Sequence, residues 1–329
     1  MLDNKRKVGL VGILLVFFYF LYQFMSPALK INGLVQDMSH SSAASPSVRH
    51  VVLIAQELDN PFWRQVEQGA REAAEKQGMA IEYMGPNRIN PSEQKRLLEK
   101  SIAVKPDALI VQGLKDQRYA ELINAAVDQG IPVITVDADE PDSKRIAYVG
   151  TDNVEAGKRM GELVVNNAAG KGRIGVIIGS ELADNQRLRL EGFCSIISNM
   201  QGYEIAAVRS SNISRMLAAK ETEALLRQYA DIETMVGFSA LDAAGIVEGI
   251  QAARREDIRV FGFDDIEATR QGIANGSITA SVVQQPREIG RQSMERLAAY
   301  FNGDKVPAQQ FIGTSMLDRD QLASKVSSP

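Results

Sequence analysis

Short apolar runs with no polar residue between their members recur along the chain and constrain its fold more than any other feature. Val51-Val52-Leu53-Ile54-Ala55 is the first. A strand with one face in water alternates apolar and polar side chains. An uninterrupted β-branched run is buried on both faces, as in a parallel sheet covered by helices. Beyond this run, Phe62, Val66, Ala70 and Ala73 recur at helical spacing. Further strands are expected at 80–83, 108–111, 132–136, 174–178, 204–208, 234–238, 259–263 and 279–283, with helical segments between most of them. Asn90-Pro91-Ser92-Glu93 and Ser214 mark helix starts, proline fitting the first helical position. The class is α/β, and 329 residues suffice for two ordinary domains.

The N-terminus follows a different rule. Lys5, Arg6 and Lys7 precede an uncharged stretch from Val8 to Leu29, which as a helix would span roughly 33 Å, enough to cross a bilayer core. The expected layout is a basic cytoplasmic end at 1–7, a transmembrane signal-anchor at 8–25 and a tether rich in Ser, Ala and Pro at 26–47. The cell membrane then carries a single-pass protein whose remainder is extracytoplasmic. The alternative is cleavage near Ser26-Pro27-Ala28, giving a secreted or periplasmic product.

Composition excludes several chemistries. Lys plus Arg is 37 against 41 for Asp plus Glu, a net charge of -4, so nucleic acid is not an expected partner. His40 and His50 are the two histidines and Cys194 the one cysteine. Zinc clusters, histidine triads and disulfide frameworks therefore have no residues to build them, and no cofactor is expected. Cys194 shares a helical stripe with Leu190 and Ile197 and reads as a buried, inert thiol. The acidic residues Asp137, Asp139, Glu140 and Asp142 read as solvated surface rather than a cation site.

In open α/β sheets ligands bind at the carboxyl ends of strands. The loops there carry Asp59-Asn60-Pro61-Phe62-Trp63, Asp137-Ala138-Asp139-Glu140, Gly262-Phe263-Asp264-Asp265 and Gln284-Gln285-Pro286. Polar hydrogen-bonding groups thus accompany one aromatic pair.

From about Arg49 to Asp320 the chain resembles the type I periplasmic sugar-binding proteins, the ribose and galactose branch. The motifs are DNPFW (Asp59–Trp63), IPVITVD (Ile131–Asp137), TDN (Thr151–Asn153), RLEGF (Arg189–Phe193), VFGFD (Val260–Asp264) and VVQQP (Val282–Pro286), six in order. The resemblance implies two doubly wound, Rossmann-like lobes with parallel sheets. These would take 48–150 plus 285–313 and 151–284 plus 314–329, joined by a three-crossing hinge that closes on ligand. It also implies site residues. Asn60, Phe62 and Trp63 would contact ligand from the first lobe, the rings covering a sugar's C–H face. Asp137 and Asp264 would accept hydrogen bonds from sugar hydroxyls, with Arg189 as donor and Gln284 on the hinge side. Ser239 stands, with Ala240, where such relatives usually carry an Asn-Asp pair, and Ala138 where ribose-binding relatives often carry Arg. Other readings compete: Phe62 and Trp63 as a packing anchor, Asp137 and Asp264 as caps of turn and helix, Arg187 as a solvated charge.

The function expected is a membrane-tethered solute receptor that binds a monosaccharide and presents it to an ABC-type permease or a sensor histidine kinase, with no bond broken. The alternatives are a carbohydrate-active α/β enzyme, with Asp137 and Asp264 as its carboxylate pair, or a ligand-independent scaffold. A dinucleotide enzyme is disfavoured, since Asp59-Asn60-Pro61 stands where a glycine fingerprint would be.

Overall fold

The computed structural model describes residues 48–167, 172–181 and 183–326. The basic end, the membrane segment and the tether expected from the sequence lie outside the described residues. Among the described residues no helix is long and apolar enough to cross a membrane.

The first half alternates β1 (Arg49–Ile54), α1 (Pro61–Lys76), β2 (Met79–Met84), α2 (Pro91–Ala103), β3 (Ala108–Gln112), α3 (Gln117–Asp128), β4 (Val133–Val136) and β5 (Ala147–Gly150). The second runs α4 (Asn153–Asn167), β6 (Gly172–Ile178), α5 (Asp184–Ile197), β7 (Tyr203–Ser210), α6 (Arg215–Gln228), β8 (Ile232–Gly237), α7 (Asp242–Ala252), β9 (Arg259–Phe263), α8 (Glu267–Asn275) and β10 (Ala280–Val283). The tail adds α9 (Pro286–Phe301), β11 (Gln309–Phe311), β12 (Ser315–Leu317) and α10 (Arg319–Val326).

Two six-stranded sheets result, ordered β11-β5-β4-β3-β1-β2 and β12-β10-β9-β8-β6-β7. All pairings are parallel except β12 against β10. The expected strands form, because their apolar runs are covered from both sides: β3 and β4 are buried throughout. In the first sheet one face packs under Val66 of α1 and Ile289 of α9, the other under Leu98 of α2 and Ile123 of α3. In the second, Met160 of α4 and Phe193 of α5 cover one face, Leu225 of α6 and Ile246 of α7 the other. Strands β5, β11 and β12 were not expected; at three or four residues each they carry too little pattern to stand out. The two helix starts do stand as read, with Asn90 capping the N–H of Glu93 at 3.1 Å and Ser214 that of Leu217 at 3.4 Å.

Each lobe contains a helix pair packed closer than side chains permit. A Cβ on Gly69 would lie 1.8 Å from the Arg287 carbonyl oxygen and one on Gly290 1.9 Å from that of Val66, which joins α1 to α9. Gly157 and Gly192 play the same reciprocal parts between α4 and α5, at 2.0 Å each. The chain passes between the sheets at 150–153, 283–286 and 311–315.

Candidate functional site

Asp137 follows β4 and Asp264 follows β9, so each sheet presents one aspartate at its carboxyl edge. Both adopt left-handed backbone conformations, φ 63° and 64°, which aspartate tolerates better than most residues. Between the two edges lies a cavity of about 40 Å³, room for a few water-sized groups at ~10–15 Å³ each. Asn60, Phe62, Trp63, Asp137, Arg189, Ser239, Asp264 and Gln284 all line it.

From the first lobe, Asn60 caps α1, its Oδ1 accepting the N–H of Phe62 at 3.0 Å while its amide donates to Glu57 at 3.2 Å. That cap sets the first turn, where Pro61 suits the helix start and Phe62 and Trp63 turn inward. The two rings meet edge to face, centroids 5.7 Å apart at 83°. Both also belong to the first lobe's core, so packing and cavity lining are one arrangement here.

Arg189 is 2 % exposed. Its Nε donates to Asn153 Oδ1 at 2.8 Å, Nη1 to the Phe238 carbonyl at 2.9 Å and Nη2 to Gln284 Oε1 at 2.9 Å. The guanidinium lies 4.0 Å from the Phe263 ring centroid and 3.9 Å from an Asp137 oxygen. Burial lowers its pKa, while Asp137 and Asp264 hold the charge in place. Five N–H groups against these three donated bonds leave donors for a ligand.

The two aspartates do not serve as caps. Asp137 Oδ2 accepts from Gln112 at 2.8 Å and, across the cleft, from Asn185 at 2.9 Å. Asp264 accepts from the backbone N–H and the amide of Gln284, the amide at 3.0 Å, and the helix after it begins beyond Ile266 with no side-chain cap. Burial raises both carboxyls, against the pull of Arg189 in each case, and brings Asp264 up to about 6.

Gln284 lines the cavity, yet its amide is engaged within the protein. Oε1 accepts from Thr151 at 2.9 Å as well as from Arg189, and Nε2 donates to Asp264. It joins two of the crossings to both charged groups of the second lobe.

Sequence reasoning missed Gln112, Asn153 as a partner of Arg189, and the liners Asn185 and Ile213. A glutamine closing the apolar run of β3 was the one signal available for Gln112. Two surface readings need correction. Glu140 is 2 % exposed and accepts the N–H groups of Leu114 at 2.9 Å and Lys115 at 2.8 Å. Asp139 pairs with Arg145 and accepts from Thr135. Glu140 thus fastens its loop to the one after β3, and Asp139 is paired within its own loop and strand, while Asp142 is exposed as expected. Cys194 is half-buried, not sealed in the core. Arg187 is exposed, paired with Asp184 and Glu191.

A family profile described as "Periplasmic binding protein domain" matches residues 51–305. The ribose import binding protein RbsB of Escherichia coli strain K12 is 22% identical over 283 residues, covering 85% of this chain and 95% of its own. Among solved structures, GanP, a glucose-galactose binding protein from Geobacillus stearothermophilus, is 37% identical with a TM-score of 0.81, covering 84% of this chain and 99% of its own. The XylFII–LytSN complex contains a chain 29% identical with a TM-score of 0.79, covering 84% of this one and 100% of its own.

Proposed function

The chain belongs to the periplasmic binding protein family, in its type I sugar-binding branch, and from that premise we propose that it is a membrane-tethered extracytoplasmic receptor that closes on a monosaccharide. One observation carries the reading. Apolar rings from one lobe face a buried guanidinium and a carboxylate from the other, with a second carboxylate hydrogen-bonded across the cleft. Such a set suits a neutral polyol: its C–H face lies on apolar surface while its hydroxyls donate to carboxylates and accept from arginine. An anionic ligand would meet two acids against one base. The cavity of about 40 Å³ leaves too little room for an oligosaccharide. Glucose and galactose are the first candidates, since GanP, at 37% identity, is described as binding them.

In this reading the lobes, 48–150 plus 285–313 and 151–284 plus 314–329, rotate about the three crossings. Asn60, Phe62, Trp63 and Asp137 hold one side of the sugar, Arg189, Ser239 and Asp264 the other, and Gln284 transmits closure to the hinge through Thr151. Residues 8–25 anchor the protein and 26–47 hold it off the membrane. The closed form is then read by an ABC-type permease or a sensor histidine kinase. The XylFII–LytSN complex, which contains a chain 29% identical to this one, supports a protein partner.

Thermal unfolding of the full-length protein with pentoses, hexoses, polyols and amino acids tests the reading. A ligand at ~100 times its dissociation constant adds about 2.7 kcal/mol, several degrees of Tm. A shift from one monosaccharide supports the receptor. A shift from amino acids alone overturns it.

A further inference from the structure

Asp242, in the first turn of α7, is 0 % exposed and lines no part of the cavity. Its Oδ1 accepts the Ser211 hydroxyl at 2.6 Å and its Oδ2 the backbone N–H of Ser239 at 2.8 Å. The first partner follows β7 and the second follows β8, so one carboxylate ties the loops on either side of β6 at the carboxyl edge of the second sheet. The first loop supplies the cavity residue Ile213 and the second supplies Ser239 and Ala240.

Ile213 is the more demanding of the two. Its φ is 53°, left-handed, and it follows Asn212 at 49°. A β-branched side chain avoids that region, and such strain persists only where surrounding contacts over-determine it. Those contacts are visible: the Ile213 N–H is shared between the Gly179 carbonyl at 2.9 Å and the Ser211 Oγ at 3.1 Å, the same hydroxyl that donates to Asp242. Gly179 also leaves the room. A Cβ there would lie 2.8 Å from Ile213 Cγ1 and 3.0 Å from Ser239 Cβ.

We propose that Asp242 is a positioning residue for ligand selection, holding Ile213 through Ser211, and Ser239 through its backbone N–H, in the cavity wall. The ligand-binding arm rests on the receptor reading; the structural arm does not. Relaxation of Ile213 out of the left-handed region would carry its apolar side chain off the cavity, loosening one side of the site with the sheets intact.

The experiment compares full-length wild type, Asp242→Asn, Ser211→Ala, Ile213→Ala and the Asp242→Asn/Ile213→Ala double variant. In ligand-free protein labelled at isoleucine δ1-methyl groups, the Ile213 resonance, assigned by its loss in Ile213→Ala, moves in both Asp242→Asn and Ser211→Ala. Calorimetric titration with D-glucose and D-galactose then gives an affinity about tenfold weaker in Asp242→Asn, the size expected for hydrogen bonds to a charged group. That loss shrinks when Ile213 is already Ala. An unmoved methyl resonance in both variants overturns the proposal, as does full additivity in the double variant. Ser211→Ala removes only an oxygen and carries the test if Asp242→Asn does not fold. If neither sugar binds wild type, the hexose reading fails and the methyl arm still decides the role of Asp242.

Discussion

The two lobes use one plan for different ends. Each has a parallel-dominated sheet covered on both faces, a glycine-paired helix contact and an aspartate in left-handed backbone at the carboxyl edge. The aspartates are nonetheless wired differently. Asp137 is bonded across the cleft to Asn185, whereas Asp264 is bonded to Gln284 at a crossing. The first lobe adds aromatic rings, the second a buried arginine. Backbone geometry is thus set by the scaffold, and each lobe's role by a few side chains placed on it. In the proposed receptor the first aspartate would register closure directly and the second through the hinge.

The sharpest way to break the comparison is to remove the group both aspartates share. Arg189→Ala leaves two buried carboxyls without their cation, a loss of about 3–5 kcal/mol where the charge is uncompensated. Differential scanning calorimetry is expected to show Tm falling by roughly 10 °C, with sugar binding abolished; a Tm within two or three degrees of wild type would show that the arginine does not hold the pair.

Asp137→Asn and Asp264→Asn come next. Each is expected to weaken sugar affinity by roughly 10- to 100-fold, the worth of a hydrogen bond to a charged acceptor. In an Asn185→Ala background only Asp264→Asn should alter the rate of closing in stopped-flow measurements, since the route from Asp137 runs through Asn185 and Asp264 touches the hinge glutamine. Equal effects on closing would erase the distinction between the lobes.

The pH dependence has two opposite signs. Asp264 rises from 3.8 to about 6 on folding, so the folded state binds the extra proton between those values. Its contribution to stability therefore grows as pH falls from 7 through that window. Affinity moves the other way, because the protonated carboxyl accepts less well. Measured against Asp264→Asn, ligand-free wild type should gain relative Tm from pH 7 to pH 5 while its sugar affinity drops. A parallel fall of both would contradict the assignment.

The smallest effect is expected at Asn185. Asn185→Ala removes the cross-cleft bond to Asp137 and should open the ligand-free protein, read as a larger radius of gyration by X-ray scattering, with little change in Tm. Unchanged scattering would mean that Asn185 does not latch the lobes.

Much of this architecture is legible in the residues. Runs such as Val51–Ala55 and Val133–Val136 identify themselves because burial on both faces leaves no polar alternation. The loops after those strands then narrow the search to Asp137, Asp264 and the Asn60–Trp63 turn. What escapes is whatever depends on which loops the topology brings together. Nothing local in Asn185 or Ile213 announces the cavity, and nothing local in Gln284, which lines it, announces that its amide is engaged with Thr151, Arg189 and Asp264. Glu140 and Asp139 look like surface acids because their partners lie in other loops or beyond the turn.

Trp63 is the one tryptophan of the chain and lines the cleft, so its fluorescence reports from one place, the packed wall of that cleft. Titrating the full-length protein with D-glucose and D-galactose tests closure on a monosaccharide directly. A saturable change in Trp63 emission is expected with at least one of them, lost in Asp264→Ala. Emission unmoved by either sugar, but changed by an amino acid or a nucleoside, would contradict it.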